Sequence, residues 1–318
     1  MPARTSLPIE LSRLPFPVRA AIKQGIRPGR LRGADLDRPF WGVRTPAGTA
    51  STVLGLATAY LSRSAADHVI SHTSAALIWG MPLPPRLRFD QRLHVSVSSE
   101  RRAPRGRGVR GHRLQFTTGD VTAIGPILIT TQARTWCDLA AMLDEEELVS
   151  VGDFLLWRRR DNSARLSPDD LLACLARFPG RRGLPVLHSS LPVLTDRADS
   201  PPESKIRVRM IRDGLPWPEV NPELYDDRGR FLAMPDLAFT RYFMAIDYEG
   251  DHHRTDPEQW AKDIGRVPRL QDAGWHHTRV SKRDLRDSGE LINRLARLLR
   301  ERGWAPAEVP QSHEKPST

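Results

Sequence analysis

The sequence predicts an α+β N-terminal region followed by an α/β domain with a mixed central sheet. Three observations carry that expectation. From Ser200 onward the hydrophobic periodicity and the Gly and Pro breaks give the order helix, strand, strand, strand, helix, strand, helix. Before it, short helices and short strands intermingle without an internal repeat, separated by Gly, Pro and Arg. The length of 318 residues exceeds one ordinary core and suits two or three modules of ~100–200 residues. The polar stretch Thr195 to Pro202 is the expected boundary.

Taken in order, Phe16–Ile26 reads as a helix closed by Pro28 and Gly29, Arg30–Asp37 as a second short helix despite Gly33, and Pro39–Val43 as a strand after a turn. Helix, helix, strand is the order of a small winged helix-turn-helix, which places its second helix in a DNA major groove. Residues 1–48 are therefore expected to form a winged-helix-like DNA-binding segment. Residues 49–195 form the α+β module, with helices at Ser51–Arg63 and Thr73–Trp79, the latter stopped by Gly80 and Pro82. Strands follow at Leu93–Val97, Val109–Leu114 and Ile127–Thr130, then helices at Gln132–Leu143, Glu145–Trp157 and Pro168–Arg177. Ser167 caps the last of these, with Asp169 and Asp170 in its first turn.

In residues 196–304 the helix Pro201–Asp213 precedes strands at Glu219–Tyr225, Phe231–Phe239 and Phe243–Tyr248. Asp226-Asp227-Arg228-Gly229 is the hairpin turn, Gly supplying a positive φ. The helix Pro257–Asp272, the strand Trp275–Val280 and the helix Glu290–Arg302 complete the domain, and residues 305–318 read as a disordered tail. Pro268 is expected to bend or shorten its helix.

The chain carries 48 Lys and Arg against 38 Asp and Glu, a net charge of +10. The charge is unevenly placed: residues 1–200 hold 28 basic against 18 acidic side chains, and residues 201–304 hold 19 against 18. A basic N-terminal region points to nucleic acid, and a neutral Arg-rich C-terminal module to a cleft rich in acids. No apolar run approaches the ~20 residues that span a bilayer, and Glu10, Arg13 and Arg19 interrupt any secretory signal, so the expected location is the cytoplasm. Cys137 and Cys174 lack further Cys or His at ligand spacing, which excludes a zinc ribbon or a disulfide framework and leaves two buried thiols.

Chemistry concentrates around Asp236, which follows Pro235, and in the strand Ala245-Ile246-Asp247-Tyr248-Glu249. Alternation along a strand sends Asp247 and Glu249 to one face and Ile246 and Tyr248 to the other. Acids beside so apolar a run are costly to desolvate unless a cation balances them, and Mg²⁺ or Mn²⁺, with its preference for carboxylates, water and phosphate oxygens, is the simplest one. Arg101, Arg102, Arg105, Arg107, Arg110 and Arg113 fall within thirteen residues among Gly106, Gly108 and Gly111, and a mobile loop of that composition would track a phosphate backbone. Trp79, Trp136 and Trp157 have core spacing, and His72 reads as a cap or core histidine.

Pro235-Asp236, ten residues, then Asp247-x-Glu249 resembles the PD-(D/E)xK signature of restriction-like endonucleases. The further string Gly250, His253, Trp260, Asp263, Arg266, Arg269-Leu270, Gly274-Trp275, Arg279-Val280 and Asp284-Leu285 resembles the very-short-patch-repair-endonuclease-like domains at the C-termini of many actinobacterial proteins. Those chains often begin with a region similar to abortive-infection type IV antitoxins, which Ile70-Ser71-His72-Thr73-Ser74-Ala75-Ala76-Leu77 with Trp79-Gly80 resembles.

The resemblance implies a restriction-endonuclease-like fold and a Mg²⁺- or Mn²⁺-dependent endonuclease acting on DNA. Asp236, Asp247 and Glu203 would hold the metal, Glu249 would orient or deprotonate water, and His253 would shuttle a proton. Arg266 or Lys262 would stabilise the transition state, with Lys262 and Arg269 also contacting DNA. Two departures stand out. Glu249 occupies the motif lysine's position, and this chain reads Asp-x-Glu where relatives more often read Glu-x-Asp. Glu203 also lies in the first turn of its helix, where a carboxylate offsets the dipole without any catalytic duty. The alternative expectation is a non-enzymatic, antitoxin-like DNA-binding transcriptional regulator whose nuclease-like domain is inactive.

Overall fold

A computed structural model describes residues 6–161, 165–177, 182–249 and 267–306. The protein is mixed α/β, and its described residues fall into two compact units, within 1–156 and 160–194 and within 157–159 and 195–318. Among the described residues no helix is long and apolar enough to cross a membrane.

The first unit opens with α1 (Ile9–Arg13), β1 (Phe16–Pro17), α2 (Val18–Lys23), a 3-10 turn (Arg30–Arg32), β2 (Leu36–Asp37) and β3 (Val43–Pro46). The strands pair antiparallel in the order β1-β3-β2 over a small core of Leu11, Phe16, Ala21, Leu31 and Leu36. Three expectations are corrected here. The helix expected at 16–26 starts only at Val18, because Pro17 is extended and takes the N-cap position. The helix expected at 30–37 is one 3-10 turn followed by a strand, since Gly33 turns extended after Arg32. The strand expected at 39–43 lies at 43–46, after a turn in which Gly42 has φ 74°.

Next come α3 (Val53–Leu61), β4 (Val69–Ile70), α4 (His72–Ile78), α5 (Pro85–Arg88), β5 (Leu93–Ser98), β6 (Arg105–Gly106), β7 (Val109–Leu114), β8 (Val121–Ile124) and β9 (Ile127–Thr130). The sheet order is β6-β7-β5-β4-β9-β8, with β5/β7 and β4/β9 parallel and the other pairs antiparallel. β5 is buried on both faces, as central strands are, and Leu93, Val95, Ile70 and Ile129 pack with Ala57, Ala59 and Ala75 of α3 and α4.

Helices α6 (Gln132–Leu139), α7 (Glu145–Leu156), α8 (Pro168–Ala176) and α9 (Leu184–Ser190) surround Trp136, Leu139, Leu148, Leu155, Leu171 and Leu187. Gly183, at φ 88°, leads into α9 so close to α6 that a Cβ would sit 2.5 Å from the Ala140 carbonyl carbon. Arg134 on α6 is fully buried, yet its Nε reaches Asp138 at 2.8 Å and its Nη1 reaches Asp120 at 2.9 Å, the pairing that a buried guanidinium requires.

In the second unit, α10 (Pro201–Arg212) precedes β10 (Glu219–Val220), β11 (Leu224–Tyr225), β12 (Phe231–Ala233), β13 (Leu237–Phe239) and β14 (Met244–Glu249). Helical residues 267–272 (α11), β15 (His276–Ser281), α12 (Lys282–Arg286) and α13 (Ser288–Glu301) follow. A mixed sheet runs β10-β13-β14-β15, antiparallel except for the parallel pair β14/β15, and β11-β12 is a separate hairpin. The expected strand 231–239 is thus two strands in two sheets. Pro235 lacks the N–H that a continuous ladder would use, and the chain changes sheets there. Asn221 and Pro222 divide 219–225 in the same way.

Candidate active site

The central strand of the second unit sorts its side chains by period two. Met244, Ile246 and Tyr248 of β14 enter the core that α10 and α13 cover, with Leu237, Phe239, Ile206, Met210 and Leu295. Ala245 faces the opposite side, against Ala238, Leu270, Trp275 and the β11-β12 hairpin. Asp247 and Glu249 therefore lie on this second face, at the end of β14 where burial declines.

Asp236 stands immediately before β13, and the antiparallel register that sets Leu237 opposite Ile246 sets Asp236 opposite Asp247. The two are joined directly. The Asp236 backbone N–H donates to Asp247 Oδ1 at 3.2 Å, and Asp236 Oδ2 accepts from the Tyr248 backbone N–H at 2.7 Å.

The parallel neighbour β15 completes the face. Its register puts His277 beside Ala245 and Arg279 beside Asp247. His277 Nε2 donates to Asp247 Oδ2 at 2.6 Å, and Arg279 Nη1 lies 2.8 Å from Glu249 Oε1.

Glu203, in the first turn of α10, is 5% exposed. Its Oε2 accepts from the Asp199 backbone N–H at 2.9 Å and from Asn221 Nδ2 at 3.1 Å, while the Asn221 backbone N–H donates to the Asp236 carbonyl at 2.9 Å. Asn221 thus links Glu203 to the strand pair, from a left-handed conformation with φ 47°. Burial pushes the Glu203 carboxyl above the usual carboxylate range, partly offset by hydrogen bonds from Ser200, Asp199 and Asn221.

The structure brings Asp236 and Asp247 together and sets Glu249 on the same face, with Glu203 one residue removed. Each carboxylate is already engaged by protein donors or a cation. Among the described residues, the three-residue group whose ligand atoms all approach within 4.8 Å is not in this unit but is His72, His94 and His112 of the first. His253, Lys262 and Arg266 lie outside the described residues. Arg269 is an exposed residue of α11.

In the first unit the arginine run is not the loop expected from its composition. Arg105-Gly106 pairs with Val109-Arg110 in a tight hairpin whose turn uses Gly108 at φ 77°, and Gly111 lies so near Pro104 that a Cβ would meet its carbonyl oxygen at 2.0 Å. Arg101, Arg102, Arg105, Arg107, Arg110 and Arg113 are all exposed, and Arg101 is paired with Asp67. Arg107 also borders a groove shared with Arg38, Arg44, Arg63 and Arg88, in which Trp41 is 84% and Phe89 74% exposed.

Sequence reasoning missed His277 and gave Arg279 of the motif string no role, since the relevance of both depends on a parallel register with β14, and it missed Arg38, Arg44, Arg63 and Arg88 of the groove, which are scattered along the chain without a spacing pattern. The available signal for the former was the alternation of His277 and Arg279 with Thr278 and Val280 on a strand.

No protein-family model matches the chain, and no solved structure matches it. Over 190 residues the chain is 30% identical to the uncharacterized proteins MT2308 and Rv2248 of Mycobacterium tuberculosis, strains CDC 1551 / Oshkosh and ATCC 25618 / H37Rv. The match covers 59% of this chain and 65% of each relative, so it spans just under two thirds of their length.

Proposed function

We propose that the second unit is a metal-dependent DNA phosphodiesterase of the PD-(D/E)xK class with a restriction-endonuclease-like fold, and that the first unit binds DNA. The observation that carries this reading is the pairing of Asp236 with Asp247 on adjoining strands, with the buried Glu203 tied to the same strands through Asn221. Carboxylates gathered on a half-buried face repel one another and are costly to desolvate without a cation, and this all-oxygen donor set suits Mg²⁺ or Mn²⁺. Asp236 and Asp247 would hold such an ion, with Glu203 behind them, and the ion would supply Lewis-acid polarisation of a phosphate oxygen and a more acidic water.

The chain's own residues have distinct duties in this reading. His277 fixes the orientation of Asp247 through their 2.6 Å hydrogen bond. Glu249 orients the attacking water and accepts its proton. Arg279, beside Asp247 in register and bound to Glu249, provides on the neighbouring strand the positive charge that the motif's lysine would have provided at position 249. In the first unit, the short helices α1 and α2 with the small sheet β1-β3-β2 would form the winged-helix-like DNA-binding segment, and the exposed arginines with Trp41 and Phe89 offer phosphate contacts and stacking surfaces.

Incubation of the purified protein with supercoiled plasmid tests the reading. Nicked or linear product should form with Mg²⁺ or Mn²⁺ and disappear with EDTA. Asp247→Asn should lower the rate by at least ~100-fold, with a thermal melt verifying that the variant is folded. The acid at the lysine position and its pairing with Arg279 favour one second reading, a non-cleaving DNA-binding regulator. Duplex binding without cleavage under any of these ions would establish that reading instead.

A further inference from the structure

The first unit holds a cluster of chemistry-bearing side chains that a nuclease does not use. His72 opens α4, His94 lies on β5 and His112 on β7. The parallel register sets Ser96 opposite His112, so His94 and His112 share one face of the sheet, and His94 Nδ1 is 3.1 Å from His112 Nε2. The His72 ring stacks on His112 with centroids 3.8 Å apart. One ring nitrogen from each of the three lies within 4.8 Å of the others.

Packing alone is a poor account of this arrangement. His94 is 0% exposed, yet its Nε2 has no hydrogen-bond partner, an exception to the rule that buried polar atoms are paired. His72 is held at φ 49°, a conformation that costs a non-glycine residue of order 1–3 kcal/mol and clusters at ligand sites. Its Nδ1 is 3.0 Å from Ser71 Oγ, which is itself 2.6 Å from Ser96 Oγ, so the ring is oriented and Nε2 is left for a ligand. Asp90 Oδ2, already paired with Arg92 at 2.7 Å, stands 4.0 Å from His94 Nε2, beyond hydrogen-bond distance. Burial, reinforced by the neighbouring His112 imidazole and Arg110, holds the pKa of His94 at about 3, and burial with Arg110 holds that of His112 at about 4; His72 is also driven well down, mainly by burial. A metal takes the neutral form of each imidazole, the one with a lone pair to give. Of the nearby cations, Arg134 is balanced by Asp120 and Asp138, and Arg110 is exposed.

We infer that His72, His94 and His112 bind one divalent transition-metal ion of the Zn²⁺ class, through three imidazole nitrogens with a further position open to water or another ligand. Nitrogen donors exclude Mg²⁺ and Ca²⁺ and select among first-row ions, and three histidines with an open position are a zinc-type set. Binding requires the stacked His72 and His112 rings to turn so that their lone pairs converge at roughly 2.0–2.1 Å from the ion, and the half-buried His112 gives the entry side. The inference is independent of the nuclease reading, because it uses other residues and another donor chemistry.

The test is titration of the metal-free full-length protein with Co²⁺, read by its visible ligand-field bands, followed by displacement with Zn²⁺. One equivalent should give the intense bands of nitrogen-ligated Co²⁺ and be displaced by Zn²⁺. His112→Ala should abolish the bands, with a thermal melt verifying folding, and His112→Gln serves the same purpose if the alanine variant does not fold. Asp247→Asn should leave the bands intact, which separates this site from the acidic face of the other unit. Absence of bands in the parent, their persistence in a folded His112 variant, or their loss in Asp247→Asn would overturn the assignment.

Discussion

Glu203 is a carboxylate that folding makes harder to ionise. Its folded-state pKa is raised by burial, so its contribution to stability is fully present below the unfolded value and is lost as pH rises through the folded one. Glu203→Gln keeps an oxygen to accept from Asp199 and Asn221 and removes the charge. The variant should therefore melt higher than the parent at pH 7, and the difference should close as pH falls through and below the ordinary carboxylate range; a difference that persists at pH 3 would assign the gain to packing. Mg²⁺ should narrow the gap at pH 7 if the acids share an ion. At this scale Asp247 and Glu249 were legible in the sequence, because alternation fixes their common face without any knowledge of neighbours, whereas the face of Asp236 came only with the β13/β14 register. His277, Arg279 and the three clustered histidines were not. Each acquires meaning only through a register with a distant strand, and one sequence contains no term that pairs β14 with β15 or β5 with β7.

Among the elements, the β6-β7 hairpin pairs part of the arginine run in a sheet where composition promised a mobile loop. Arg105 and Arg110 are directly opposed, a like-charge pair that is unfavourable in isolation and that a polyanion would relieve. Replacing Arg105, Arg107 and Arg110 together with alanine should weaken duplex DNA binding. The slope of log affinity against log salt should fall by roughly 0.9 for each DNA phosphate that the variant no longer neutralises. An unchanged slope in a filter-binding or fluorescence titration would remove the hairpin from the DNA interface. Most helices and the longer strands were visible from periodicity and caps, including α8 with its Ser167–Asp170 capping box. The errors fall where proline or glycine redirects the backbone: at Pro17, Gly33 and Gly42 in the N-terminal segment, and at Pro235, where one apolar run serves two sheets. Hydrophobic pattern reports burial, and burial continues across a change of sheet.

On the scale of the molecule, each unit has cores of its own, and those of the second use residues between Ala198 and Trp304. Residues 157–159 join that unit through the half-buried Trp157 and the exposed Arg159, which both donate to Asp199 at 2.8 Å, the ion pair of Arg159 being worth about 1 kcal/mol or less. A fragment of residues 195–318 should consequently unfold cooperatively in urea, and a broad, non-cooperative loss of helical circular dichroism would show that it depends on the rest of the chain. The chain's two cysteines, Cys137 and Cys174, both lie buried in the helical core of the first unit, with sulfurs 3.6 Å apart between α6 and α8. A thiol reagent can reach either one only when those helices separate. Where reclosing outruns modification, the rate of labelling measures the equilibrium population of the opened form of this unit. The protein thus carries its own stopwatch for one unit, and DNA or a metal bound there should slow it while an ion bound at the acidic face leaves it running unchanged.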